Sequence, residues 1–162
     1  MIRPARPSDT PRLLDLTAAT GVFKAQEIEV LQELLQEYHA GSLAEDHTAI
    51  VLLDGREHLT ASIVGFAYYA PDVMTDRTWY LYWIAIERRR QGAGLGSQLL
   101  QSVEADIRRR RGRLLFIEAS SLPHSEATRR FYLKQGYEIN GQLRDFYSDG
   151  DDMIVFRKRL GS

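Results

Sequence analysis

Residues 88–97 of this 162-residue chain read Arg-Arg-Arg-Gln-Gly-Ala-Gly-Leu-Gly-Ser. Three glycines within five residues let a backbone turn tightly and come close to a ligand. An apolar run precedes the stretch, and helix-spaced apolar residues follow it. At the start of such a helix the first N–H groups have no partner inside the helix, and the dipole is positive. A place of that kind binds phosphate, and Arg88, Arg89 and Arg90 add to the attraction. A plain strand-to-helix turn could use the same glycines, but their density beside three arginines favours an anion cradle. A P-loop would end in Gly-Lys-Ser/Thr, and no lysine stands near. A dinucleotide-binding turn is the serious rival: Gly92, Gly94 and Ser97 come close to G-x-G-x-x-G, and Glu118 ends the next strand at a suitable distance for a ribose partner. Against it stand the loop's mid-chain position and the four polar residues Arg88 to Gln91 before the first glycine.

Other chemistries are excluded by composition. The chain has no cysteine, which removes disulfide scaffolds, thiolate zinc sites and a cysteine nucleophile, and suits a reducing compartment. His39, His47 and His58 show no metal-ligand spacing, so no metal is expected. Apolar residues at 44% and charged residues at 27% describe an ordinary globular chain rather than a disordered one. Neither a signal peptide nor a membrane span is visible, so the expectation is a cytoplasmic protein with no membrane partner. Charge is uneven. Residues 21–60 set two cations against eight carboxylates, net −6, and residues 87–113 set eight arginines against three carboxylates, net +5. Both are expected to be solvated faces first, and neither asks for a nucleic-acid partner.

The elements that must hold this loop follow from periodicity. Thr10 as N-cap and Pro11 at the first helical position open a helix through Leu13, Leu14 and Leu16. Ile28, Leu31, Leu35 and Tyr38 mark one face of a second helix, from about Ala25 to Tyr38. Strands are expected over Ala49–Leu53, Ser62–Tyr69 and Trp79–Ile86, the last apolar or aromatic on both faces, as in a central strand covered on both sides. Leu95, Leu99, Val103 and Ile107 repeat every four residues along the helix behind the glycines, whose basic end complements its dipole. Leu114–Ala119 is another buried strand, a short helix runs from about Ser125 to Gln135, and Asp149-Gly150 marks a closing hairpin. The expected order is β-α-α-β-β-β-α-β-α-β-β, an α/β fold with a mixed sheet and helices on both faces. It forms one domain over residues 1–162, with the strands flanking the glycine helix parallel.

Within that order the pattern Gln91-x-x-Gly94-x-Gly96, after Trp83-Ile84-Ala85-Ile86, resembles the acyl-CoA pyrophosphate loop of the GNAT superfamily of N-acetyltransferases. Ala127-Thr128-Arg129-Arg130-Phe131-Tyr132-Leu133-Lys134-Gln135-Gly136-Tyr137 resembles that family's helix and its Tyr-x-x-x-Gly-aromatic signature. The resemblance covers the chain nearly end to end. It implies that backbone groups of Ile84, Ala85 and Ile86 pair with pantetheine. It also implies that N–H groups of Gln91, Gly92, Ala93, Gly94, Leu95, Gly96 and Ser97 hold the pyrophosphate of acetyl-CoA. Glu118 matches the position at which some members carry a general base, and Tyr132 matches the usual general acid that protonates the departing thiolate. Of the adjacent pair, Phe131 is expected in the core and Tyr132 toward the cofactor. Where many members carry Asn, this chain has His124, and its segment from Glu118 to Tyr132 is longer than in the simplest members.

The activity so implied is direct transfer of an acetyl group from acetyl-CoA, the co-substrate, to a primary amine of a small molecule or peptide. The acidic segment Glu27 to Glu37 would draw a cationic acceptor, and a homodimer is left open. Two alternatives stand beside it: a non-catalytic acyl-CoA sensor of the same fold, and an NAD-binding protein. Retention of both Tyr132 and Glu118 leans toward catalysis.

Overall fold

The computed structural model describes residues 1–55 and 62–162; Arg56, Glu57 and His58 of the sequence reading lie outside the described residues. The elements are β1 (Ile2–Pro4), α1 (Thr10–Ala19), α2 (Ala25–His39), β2 (Thr48–Asp54), β3 (Ser62–Pro71), β4 (Thr78–Ile86), α3 (Leu95–Arg109), β5 (Leu114–Ser120), α4 (Glu126–Lys134), β6 (Glu138–Ser148) and β7 (Asp151–Arg159). Short 3-10 turns add Pro7–Asp9, Arg88–Arg90 and Pro123–Ser125. The strands form a mixed sheet with hydrogen-bonded order β1-β2-β3-β4-β5-β7-β6. The chain divides into two compact units, Met1–Ala70 with Trp83–Val103, and Pro71–Tyr82 with Glu104–Ser162.

In the first unit β1, β2 and β3 pair antiparallel. Leu13 and Leu16 of α1 and Leu31 and Leu35 of α2 are fully or almost fully buried, in one cluster with Val51, Phe66, Tyr68 and Ala85. These are the residues the helical spacing selects, so burial of a single apolar stripe fixes which face each helix turns inward. The residue before α1 is Asp9, not Thr10. Its carboxylate accepts Arg3 Nη1 at 2.7 Å, Arg3 Nη2 at 3.0 Å and the Arg6 N–H at 2.7 Å. Burial alone would raise the Asp9 pKa, and these bonds outweigh it and hold the carboxyl below its usual range.

In the second unit β4 and β5 run parallel from Thr78↔Leu114 to Leu81↔Ile117, the strand–helix–strand crossover expected from sequence. β7 pairs antiparallel with β5 on one side and β6 on the other. Trp79, Leu81, Leu115, Ile117, Tyr132, Tyr137 and Phe156 are buried. Glu104, only 3% exposed, is buried with them, and its carboxylate meets Lys158 Nζ at 2.5 Å and accepts the Tyr137 hydroxyl at 3.1 Å. A buried carboxylate is tolerated when paired and hydrogen-bonded in this way. The basic end of α3 is also used structurally. Arg109 and Arg110 pair with Asp106, Arg108 donates to the Leu160 carbonyl, and the Arg110 guanidinium lies 4.5 Å from the Trp79 ring centre.

One expectation about β4 fails. Its burial is not two-sided: Trp79 and Leu81 are buried, whereas Tyr80 is half-buried and Tyr82 is 52% exposed. Successive side chains of a strand point to opposite faces, so one face of this segment packs and the other opens.

Candidate functional site

The glycine loop belongs to the first unit. Gly92 and Gly94 adopt φ of +82° and +81°, and a Cβ built on either would meet nothing within 4 Å. Glycine is therefore demanded here by the left-handed backbone and not by packing, and the space over both residues is open. α3 begins at Leu95, so the N–H groups of Leu95, Gly96 and Ser97 occupy its first turn, where helix geometry supplies no acceptor. The Gln98 N–H returns to the Gly94 carbonyl at 3.1 Å. Gln91 to Gly94 are exposed, and Leu95 to Ser97 are half-buried.

The approach to the loop is pinned. Glu87 donates its N–H to the Val64 carbonyl at 2.8 Å and accepts Arg12 Nη2 at 2.9 Å, and Arg12 also donates to the Ile63 carbonyl. Arg90 pairs with Asp54, and Gln91 Nε2 donates to the Ile86 carbonyl at 3.2 Å. The four polar residues that separate strand from glycine thus form a braced 3-10 turn. Arg12 and Asp54 had no signal in the sequence, because their partners lie far along the chain. Of the residues expected to meet pantetheine, Ala85 and Ile86 are buried and Ile84 is half-buried.

Glu118 and Tyr132 belong to the second unit, on β5 and α4. Glu118 stands opposite Val155 of β7, with an exposed side chain. Enough protein still surrounds its carboxyl that desolvation lifts the pKa above the ordinary range. Tyr132 is only 3% exposed. Its ring lies 5.6 Å from Phe131, 6.0 Å from Tyr137 and 5.3 Å from Phe156, centre to centre. Burial pushes its phenol pKa well up, so it carries its proton at any physiological pH. The core place expected for Phe131 is not observed: Phe131 is half-buried, and Tyr132 is the more buried ring of the pair. A nine-residue helix turns Tyr132 toward Tyr137 and Phe156, a preference the adjacent pair alone does not reveal.

The segment joining the two is braced as well. Arg129 Nη1 donates to the carbonyls of Ser120 at 2.6 Å and Leu122 at 2.8 Å. Ser120 Oγ donates to Asp151, and the Asp152 N–H donates to Ser121 Oγ at 2.8 Å. His124 is exposed within this segment. Sequence reasoning missed Tyr80 and Tyr82, whose alternate placing in β4 was the available signal. Among the described residues no group of His, Asp and Glu is arranged to hold a metal ion, and no helix is long and apolar enough to cross a membrane.

Comparison with known proteins gives this arrangement a family. Residues 45–139 match the acetyltransferase (GNAT) domain. A solved protein from Desulfovibrio desulfuricans assigned to the GNAT family of acetyltransferases is 34% identical, with 99% of each chain covered and a TM-score of 0.90. An aminoglycoside 6'-N-acetyltransferase complexed with coenzyme A superposes with a TM-score of 0.78 at 19% identity, covering 100% of this chain and 98% of the other. A ribosomal-protein-alanine N-acetyltransferase from Brucella melitensis gives 0.73 at 20% identity, with 98% and 99% covered. No curated protein matches the chain.

Proposed function

The chain belongs to the GNAT family of acetyltransferases, and from that premise we propose that it moves an acetyl group from acetyl-CoA directly to a primary amine. The observation that carries this reading is the braced loop ending in two left-handed glycines with open space above them, followed at once by a helix N-terminus. Backbone N–H groups of Gln91 to Ser97 would hold the pyrophosphate there, and the strand residues Ile84, Ala85 and Ile86 would pair with the pantetheine arm. Bound acetyl-CoA supplies the thioester. The chain's own residues supply proton transfer.

Glu118, directly or through water, takes the proton from the attacking ammonium, and its lifted pKa brings it nearer the operating pH of a useful base. Tyr132, protonated throughout the working range, gives its proton to the departing thiolate. The deprotonated nitrogen forms a bond to the acetyl carbon, the carbon–sulfur bond breaks, and CoA leaves as the thiol with the Tyr132 proton. The second proton, shed by the nitrogen as it becomes an amide, restores the Tyr132 phenol by way of solvent. The whole chain acts as one N-acetyltransferase domain, in the cytoplasm. An aminoglycoside and a ribosomal protein are the acceptors named for two structural neighbours; at 19–20% identity neither is carried over to this chain, and they lend support only to an amine as the proposed acceptor class.

The test is a panel of small amines, amino acids and peptides with acetyl-CoA, following free thiol release. Thiol release above the acceptor-free rate, with acetylated amine in the product, is the expected result. Binding of CoA without release for any amine would favour the sensor alternative, and binding of NAD but not CoA would sink the reading.

A further inference from the structure

The proposed reaction uses Glu118 but leaves unassigned the aromatic side chains that share its face of the sheet. Tyr80 and Tyr82 alternate with the buried Trp79 and Leu81, so they stand together on the open face of β4. Phe116 is the ladder partner of Tyr80, and Glu118 follows it two residues along β5, on the same face. The Tyr80 and Tyr82 rings lie 5.7 Å apart at 33°, and the Tyr80 and Phe116 rings 5.9 Å apart at 36°. Exposure increases along both strands in step. Thr78 and Leu114 are buried, Tyr80 and Phe116 half-buried, Tyr82 and Glu118 exposed. Val155 extends this face opposite Glu118, and the next residue across is Gly141, which adds no side chain.

Trp79 and Leu81 fill the core, and the two tyrosines stand on the face of β4 that stays more exposed. Glu118 puts a carboxylate on that side. Glu118 and Asp72 both act electrostatically on each tyrosine. The arginine on the same face, Arg157 opposite Phe116, is taken up by Glu138 at 2.6 Å. Aromatic faces with carboxylates beside them attract organic cations, through the ring quadrupole and through charge.

We propose that Tyr80 and Tyr82, with Glu118 and Asp72, form a cation-binding site that holds an ammonium group of the acceptor over the tyrosine rings. The acceptor class it selects is an amine carrying a second positive charge: one nitrogen reacts near Glu118 while the other stays protonated against the rings and Asp72. The selection of acceptors rests on the acyltransferase reading above; the binding of a cation does not.

Two measurements test it. Tetraethylammonium, titrated by calorimetry or NMR, binds saturably. Its Kd rises about five- to tenfold in Tyr82→Leu and stays within about twofold in Tyr82→Phe, which keeps the ring and loses the hydroxyl. With acetyl-CoA as donor, the ratio of kcat/KM for 1,4-diaminobutane to that for 1-butylamine falls by a similar factor in Tyr82→Leu and recovers in Tyr82→Phe. Circular dichroism confirms that both variants are folded. Unsaturable tetraethylammonium binding, or equal affinity in folded Tyr82→Leu, overturns the site. Equal use of diamine and butylamine by the parent overturns its role in selecting acceptors. If no amine is acetylated while tetraethylammonium follows the ring pattern, the cation site stands and the reaction assigned beside it falls.

Discussion

The loop Gln91–Ser97 and the pair Glu118 and Tyr132 are built on opposite plans. The loop is proposed to work with its backbone: a Cβ at either left-handed glycine would meet none of the described residues within 4 Å, and the bracing comes from side chains outside it, Arg12 on Glu87 and Arg90 on Asp54. Glu118 and Tyr132 are proposed to act through their side chains, and the protein around them shifts both pKa values upward by desolvation. A backbone-built site tolerates change in side chains but not in conformation. A site built of side chains tolerates neither loss of the group nor a change in its surroundings.

The sharpest way to break that comparison is Tyr132→Phe. It keeps the ring among Phe131, Tyr137 and Phe156 and deletes only the hydroxyl. Turnover should fall on the order of 10²–10⁴-fold, the usual contribution of a positioned acid, while calorimetric affinity for acetyl-CoA stays unchanged. Parent-like turnover where chemistry limits would reduce Tyr132 to packing.

Next in size is Gly94→Val. A β-branched residue at this φ costs about 1–2 kcal/mol of backbone strain and puts carbon into the open space the pyrophosphate would occupy. CoA affinity should drop by about tenfold or more, by the affinity arithmetic of a lost charge-assisted bond or two. Gly41→Val is the matched control, since Gly41 has φ +73° and equally open surroundings just beyond α2. It should lose similar stability in urea and keep CoA binding. Equal losses of CoA affinity in both variants would move the cradle elsewhere.

A smaller effect is expected at Glu118, which is exposed enough for water to stand in. Only the carboxylate accepts a proton, so parent activity should rise with pH through a value above the ordinary carboxylate range and be lost below it. Glu118→Gln should remove that limb and lower kcat by about tenfold, most at the acidic side where the amine holds its proton hardest. An unchanged acidic limb would assign the base to another group. Smallest is salt. Glu29, Glu33 and Glu37 of α2 are exposed, and their attraction for a cationic acceptor is screened over about 8 Å at physiological ionic strength. KM for such an acceptor should rise about two- to threefold with added salt, and a flat KM would leave α2 as a solvated face only.

What the sequence made legible follows the same division. Local periodicity placed α1, α2 and α3 and every strand from β2 onward to within a few residues, because burial of one stripe or one run is written in neighbouring residues. The loop was legible too, since glycine density and the helix behind it are local signals. Three features were not local. The covering of β4 depends on what packs against each face, so its apolar and aromatic run read as two-sided when Tyr80 and Tyr82 are open. The choice between Phe131 and Tyr132 depends on Tyr137 and Phe156, five and twenty-four residues beyond Tyr132. The bracing of Glu87 by Arg12 spans 75 residues. Each is a tertiary preference overriding a pattern that was correct as far as it reached.

The strand order of the second unit has a consequence for how the chain comes off the ribosome. β7 is made after both β5 and β6, yet it lies between them and pairs with each. Until residues 151–159 emerge, β5 lacks its antiparallel neighbour, β6 lacks the strand it pairs with among the described residues, and Glu104 lacks the Lys158 ammonium that lets it stay buried. A nascent chain stopped short of Asp151 thus exposes strand edges that invite pairing with other chains. Synthesis must pass Arg159 before the strands of this unit can all pair.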